Sequence, residues 1–382
     1  REPHPCMREL KHVYAPLRVE AVDFQTGRIR LFNRRHFLPL SDLEGRWQWR
    51  RNGAVLQEGK LPALTAPPGG RQDLPLPCAP PEPGSAGDED WLNLSFAQKA
   101  ATDWAPAGFE VAAAQLAVPP RPGAAGTAGA AGTASAAGSL RRRAGAPEAV
   151  RARESRDEVE VHIGSAGRLV FDRHSGALTR WTAAGRALVE GGLRVNLWRA
   201  PTDNDGGLLF HVERRGGWQV GPRWCRDAQR WHEAGYDRLR PRVAALDFSQ
   251  PDPAAFRVRV QTVLAANALP PAFACDQTWE LGGNGEVALQ TDLKPLRDDL
   301  PNLPRFGLTL ALPAEFDRMR WYGRGPHENY DDRKESAFVG EYAGGVRDQF
   351  VPYLRPQENG NKTDVRWAAL TDRQGAGLLA CG

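Results

Sequence analysis

Apolar and polar residues alternate with a period of two over several short stretches of the chain. Leu17, Val19 and Ala21, followed by Val22 and Phe24, form the first; Ile29 and Leu31, set against Arg28 and Arg30, form the second. Trp47 and Trp49 flank Gln48, residues 91–96 carry a compact apolar run, and residues 109–118 alternate weakly. Period-two alternation places one side of a strand in a core and the other in water. Gly, Pro and the dipeptide Asn52-Gly53 punctuate these runs, and Asn-Gly is a strong signal for a tight hairpin. Residues 1–118 therefore read as an antiparallel sandwich. Residues 3–14 do not alternate, and they read as a strap leading in from another domain rather than as a strand.

Strand patterns resume over residues 158–163, 168–171, 256–263, 277–281, 286–293 and 306–312, with Gly176, Gly185, Gly282-Gly283 and Asn284-Gly285 as turns. Only residues 224–234 suggest a helix. The region 151–382 thus reads as a second, larger all-β domain. It closes on Gly377-Leu378-Leu379-Ala380-Cys381-Gly382, an apolar stretch without a turn or polar tail. A strand is expected to run on past Gly382, and Arg1 is likewise expected to lie in mid-chain. Between the two regions stands GAAGTAGAAGTASAAGS (residues 123–139). Gly recurs there every three to four residues, and each costs about 1 kcal/mol against Ala inside a helix. The segment has too little apolar area to offset its ordering entropy. Residues 119–150 are predicted to be a flexible linker.

Composition narrows the classes of function. The 382 residues allow two or three domains, at a typical size of about 150 residues each. The 50 basic residues nearly balance 46 acidic ones, leaving +4, and the signs are interspersed. The one dense basic run, Arg141-Arg142-Arg143, sits in the linker, so nucleic acid is not an expected partner. No apolar run is long enough to span a membrane, and no charged-then-apolar leader is present. The five cysteines are widely spaced and form no C-x-x-C pair. Neither a zinc motif nor a dithiol motif is supported, and a reduced, cytoplasmic setting is expected. The 12 Trp and 14 Phe suit β cores and sugar platforms alike.

Three segments, residues 197–207, 321–333 and 353–361, are dense in Gly, Pro, polar and aromatic residues and read as loops, where binding groups gather. Carboxylates, amides, Arg and aromatic rings together can hold a sugar, because hydroxyls take paired donors and acceptors while apolar sugar faces stack on rings. The candidate residues are Arg199, Asp203, Asn204, Asp205, His211, Glu328, Asn329, Glu358 and Asn359. Asp203-Asn204-Asp205-Gly206 reads equally well as a structural turn. Gly323-Arg324-Gly325 is no dinucleotide fingerprint, since Glu328 stands where the third Gly belongs. Glycoside hydrolysis needs two carboxyls about 5–5.5 Å apart when retaining and about 6.5–9.5 Å when inverting. Glu328 and Glu358 are the tempting pair, and nothing in the sequence fixes their separation. His327 and His211 are loop imidazoles that could act as bases or be merely structural.

Taken in order, RAPTDNDGG (199–207), WYGRGPHENYDDR (321–333) and YLRPQENGN (353–361), with the opening REPHPCMRELKHVYAPL (1–17), resemble the C-terminal part of glycoside hydrolase family 2 β-galactosidases. The resemblance covers the chain apart from the linker. It implies an all-β fold: an immunoglobulin-like sandwich over 1–118, then over 151–382 a β-galactosidase small-chain domain. That domain would be a large β-supersandwich of galactose mutarotase-like type, C-terminally truncated here. The implied whole protein is a retaining β-galactosidase acting on terminal β-D-galactosides such as lactose. Its catalytic glutamates, and its Mg²⁺ and Na⁺, would lie in or beside a barrel domain that this chain lacks. On this reading the chain contains no catalytic residue and no metal ligand, and it is inactive alone. It would supply structural support and an active-site wall, with residues 207–217 as a mobile loop at the mouth. Expected partners are the galactoside, the missing barrel domain of the same protein and further copies in a homo-oligomer. Two other readings stand beside this one. One is a galactoside-binding module that does not cleave. The other is a mutarotase-like aldose epimerase using Glu328 or Glu358 with His327 or His211.

Overall fold

The computed structural model describes residues 3–24, 26–77, 79–82, 84–85, 87–119, 148–164, 167–206 and 227–382. The predicted linker lies almost wholly outside the described residues. Every strand pairing among the described residues is antiparallel, and helix is confined to short pieces, so the chain is all-β. It divides into two compact units: one comprises Arg1–Arg141, Asp317–Val351 and Asn359–Gly382, the other Arg142–Phe316 and Pro352–Glu358.

In the first unit, Leu17–Asp23, Arg28–Asn33 and Arg71–Pro75 form a three-stranded sheet. Ala54–Lys60, Leu43–Arg51, Asp90–Gln98 and Glu110–Val118, in that spatial order, form a four-stranded one. Their inward residues share a single core: Leu17, Val19, Ile29 and Leu31 from one sheet, Trp47, Trp49, Leu92, Leu94 and Phe96 from the other. This is the β-sandwich that the alternation predicts. The hairpin at Asn52-Gly53 has positive φ at both residues (47° and 87°), the geometry that an Asn-Gly turn supplies.

The same unit holds a further four-stranded sheet, ordered Phe338–Gly345, Arg318–Gly325, Trp367–Thr371, Gly377–Cys381. Its middle strand corrects the reading of residues 321–325 as loop. Trp321, Tyr322 and Gly323 are all buried, so no inside-outside alternation marks the strand. Its glycines serve close packing: a Cβ at Gly323 would stand 2.7 Å from the Val365 backbone, and one at Gly325 2.7 Å from the Tyr342 ring. Residues 3–14 hold a helix, Cys6–Val13, so residues 224–234 are not the only helical stretch. Met7, Leu10 and Tyr14 stand at helical spacing, a pattern with no period of two.

In the second unit, a five-stranded sheet (Arg186–Val189, Leu178–Ala183, Gly167–Asp172, Glu158–Ile163, Arg151–Glu154) and a four-stranded sheet (Arg240–Asp252, Ala255–Ala265, Phe273–Gly282, Val287–Pro295) share one core. Val159, Val161, Leu169 and Phe171 meet Phe256, Val258, Val260 and Trp279 there, with Phe171 and Trp279 edge to face at 5.6 Å. Gly191–Asn196 pairs with Gly307–Ala311. The helix Asp227–Glu233 buries Trp231 against Leu197, Tyr236 and Phe273 in a satellite core. That packing positions the loop carrying residues 198–206.

Candidate functional site

The strand Gly191–Asn196 delivers the chain into the RAPTDNDGG segment. Asn196 Oδ1 accepts the Trp198 N–H at 3.0 Å and turns the backbone. Leu197 anchors in the satellite core, and Trp198 stacks edgewise on Trp231 at 6.4 Å and His232 at 4.9 Å. Arg199 is thereby set with its guanidinium 5.2 Å from the Trp231 ring centre. Its Nε donates to the Pro304 carbonyl at 3.0 Å, and its two Nη atoms grip Asp205 at 2.6 and 3.1 Å. Asp205 also accepts from the Thr202 N–H (2.7 Å) and hydroxyl (2.8 Å), closing the short turn Asp203–Asp205, and Gly206 leaves it at φ 78°. Burial works to raise the Asp205 carboxyl, but the hydrogen bonds from Arg199 and Thr202 outweigh it, and the net shift is downward. Arg199 and Asp205 occupy each other and hold the turn. Asp203 and Asn204 are exposed at its crest.

Beside this turn lies the end of the YLRPQE segment. Gln357 approaches Asp203 at 3.4–3.5 Å, a weak contact. Glu358 pairs with Arg305, the residue after the Pro304 that receives Arg199. Asp203 and Gln357, with the neighbouring Asn204 and the Arg305–Glu358 pair, thus form a polar group that belongs wholly to the second unit. Such a group offers acceptors and donors of the kind that hold hydroxyls. His211, and the loop expected over 207–217, lie outside the described residues.

In the first unit the GPHENYDDR turn carries a polar network centred on buried Glu328 and Asn329. Glu328 has no exposed side-chain surface; Oε1 accepts from Arg333 at 2.7 Å and Oε2 from the Gly360 N–H at 2.8 Å. Asn329 is fully buried. Its Nδ2 donates to the His327 carbonyl at 3.0 Å, its Oδ1 accepts the Thr363 N–H at 2.7 Å, and its backbone N–H reaches Asn361 at 2.9 Å. Asn359 Oδ1 accepts the Val351 N–H at 3.0 Å. Burial pushes the His327 imidazole down to about 4, with nearby Arg8 adding to the effect, so the ring is neutral near pH 7. Its Nε2 lies 3.0 Å from the Ser336 hydroxyl. Burial also lowers the Lys362 ammonium, which stands 5.4 Å from the Trp321 ring centre.

The structure therefore gathers Arg199, Asp203, Asn204, Asp205 and Glu358 in one unit and Glu328, Asn329 and Asn359 in the other. Arg305, Gln357, Trp198 and Trp231 complete the first group. Arg305 stands 53 positions from Glu358, a separation with no sequence signal. Among the described residues no three His, Cys, Asp or Glu side chains come together in a way that would hold a metal ion.

Residues 163–381 match the family model described as "Beta galactosidase small chain". The chain belongs to the β-galactosidase family. Residues 29–119 match a second model, "Beta-galactosidase, domain 4", and the Gly/Ala segment falls between the two matches. A β-galactosidase of Priestia megaterium is 32% identical over 378 residues, covering 99% of this chain and 33% of the relative. One from an Arthrobacter species is 33% identical over 396 residues (99% and 34%), and one from Vibrio cholerae 31% over 380 residues (96% and 32%). The chain spans about a third of the length of the curated β-galactosidases it matches. Both halves of the polar architecture described above, residues 198–206 with 357–358 and residues 327–333 with 359–363, fall inside the small-chain match.

Proposed function

We propose that this chain is part of a retaining β-galactosidase that hydrolyses terminal β-D-galactosides such as lactose. The carrying observation is that β-galactosidases match it along nearly its whole length while it spans only a third of theirs. The description "domain 4" for residues 29–119 supports further domains ahead of it, and this reading assigns the catalytic glutamates, Mg²⁺ and Na⁺ to them. The chain contributes the fold's support and a wall of the sugar site, with Asp203 and Asn204 as hydroxyl-binding groups. Support for withholding a catalytic role from Glu328 and Glu358 comes from their partners: Arg333 and the Gly360 N–H hold the first, Arg305 the second. A carboxylate engaged in this way is a poor nucleophile and a poor proton donor. The enzyme is further taken to work as a homo-oligomer in the cytoplasm, without nucleic acid or membrane as partner.

The test is to follow hydrolysis of a nitrophenyl β-D-galactoside by the whole protein with proton NMR. Galactose appearing first as the β anomer supports the retaining reaction. First appearance of the α anomer refutes retention, and no hydrolysis refutes the enzyme reading.

A further inference from the structure

We infer that a cavity on the outer face of the sheet formed by Ala54–Lys60, Leu43–Arg51, Asp90–Gln98 and Glu110–Val118 is a binding site for a neutral mono- or disaccharide. The inference does not depend on the β-galactosidase reading above.

Strand geometry makes the floor. Trp47, Trp49, Leu92, Leu94 and Phe96 turn into the sandwich core, so the alternate residues Arg46, Gln48, Asn93 and Ser95 lie on the opposite face. Such a face is commonly open to water. Here the strand Phe338–Gly345 begins against it. The Gln115 side chain takes both backbone groups of Val339: Oε1 accepts the N–H at 2.7 Å, and Nε2 donates to the carbonyl at 2.8 Å. That clamp fixes the start of the strand, and Phe338 becomes a wall. The cavity measures about 480 Å³, inside the range of about 300–1,000 Å³ usual for small-molecule sites. All its lining residues belong to the first unit.

The polar groups around this space are held in place but not saturated. Gln48 is fixed from both ends: Nε2 donates to Glu58 at 2.7 Å, and Oε1 accepts from Arg50 at 3.1 Å. Asn93 Oδ1 accepts from Gln115 Nε2 at 2.9 Å, which orients the amide. Its own Nδ2 then donates to nothing among the described residues. Nor do the Ser95 hydroxyl and the Glu110 carboxylate make a side-chain hydrogen bond among them. Arg46 reaches Glu44 only at 3.3 Å, because Lys60 holds the other oxygen of that carboxylate at 2.7 Å. A hydroxyl, an amide, a guanidinium and a carboxylate with capacity to spare thus line one space and supply donors and acceptors together.

The charge balance of the lining selects the ligand. Arg46 and Lys60 offset Glu58 and Glu110, so no net field favours an anion or a cation. An apolar ligand would leave the Ser95, Asn93 and Glu110 groups without water or partner, at a cost of about 1–3 kcal/mol for each neutral group. A sugar meets both conditions. Each of its hydroxyls donates and accepts, which suits a mixed set of side chains. Its apolar face packs on an aromatic ring, and Phe338 provides one.

Saturation-transfer NMR of the whole native protein with maltose as the probe tests this. Maltose has no β-galactoside bond, so a galactosidase does not consume it. Saturable transfer with a Kd of about 1 mM is expected. Ser95→Ala combined with Arg46→Gln removes two groups from a solvated strand face and is expected to weaken binding about tenfold, with the melting temperature little changed. Phe338→Leu, on a different element, keeps apolar bulk but loses the ring, and it is expected to weaken binding about three- to tenfold. It reports on the same cavity if the double variant fails to fold. Absence of saturable transfer at about ten times the expected Kd overturns the proposal. Binding that is unchanged in a folded variant places maltose elsewhere and overturns it too. Displacement of maltose by an equal concentration of inorganic phosphate would show an anion site and overturn the assignment to a neutral sugar.

Discussion

Glu328 shows how a single buried charge organises the polar half of the first unit. Its carboxylate has no exposed surface and joins Arg333, which is 20% exposed, to the Gly360 backbone. Glu328→Gln removes the charge that Arg333 faces. It is expected to cost about 2–4 kcal/mol, below the top of the range for breaking buried pairs because Arg333 keeps some access to water. Urea unfolding of the whole protein measures it. His327 gives a pH dependence of definite sign. Its folded value is about 4 against an ordinary 6.5, so between those limits the unfolded chain binds more protons than the folded one. Stability must therefore fall as pH is lowered through that window. His327→Gln keeps a donor for Ser336 and removes this part of the slope, so the difference between urea midpoints at roughly pH 7 and pH 5 narrows in the variant. Asp203 and Asn204 are exposed and are proposed to bind sugar hydroxyls. Their replacement by Ala in the whole enzyme is expected to raise KM about three- to tenfold, the worth of about one hydrogen bond, with kcat little changed. An unchanged KM would remove them from the sugar site.

The elements owe their positions to a few special backbone sites. Gly235 follows the helix Asp227–Glu233 at φ 78°, and a Cβ there would stand 2.5 Å from the Ala266 side chain. Gly235→Ala is expected to cost about 2 kcal/mol, by strain and overpacking together, and to lower the melting temperature. Strands with one wet face were legible in the sequence: Glu158–Ile163 is read to the residue, and the Trp47-Gln48-Trp49 alternation lies inside Leu43–Arg51. Two kinds of strand were not. Arg240–Asp252 is an edge strand with no fully buried residue, so it carries no apolar period. Arg318–Gly325 lies between two partners and buries consecutive residues, so its Trp-Tyr-Gly sequence looks like a loop. The candidate site was legible as motifs but not as pairings. Arg199 and Asp205 stand six positions apart in one motif, and their mutual grip follows only from the turn at Thr202. The Arg305–Glu358 pair depends on how the Gly307–Ala311 strand brings residue 305 back.

At the scale of the whole molecule the compact units do not follow chain order, since residues 317–351 and 359–382 group with the N-terminal sandwich. Glu328 and Glu358, tempting as a hydrolytic pair when read along the sequence, fall in different units and are each held by an arginine of their own unit. On the proposed function, this chain frames a galactosidase whose chemistry lies in the rest of the protein. The most direct test is hydrolysis of a nitrophenyl β-galactoside, measured for these 382 residues alone and for the same residues joined to the remainder of the native protein. The chain alone is expected to give no turnover and the joined protein full turnover. Turnover by the chain alone would contradict this and would make Glu328 and Glu358 the first residues to replace.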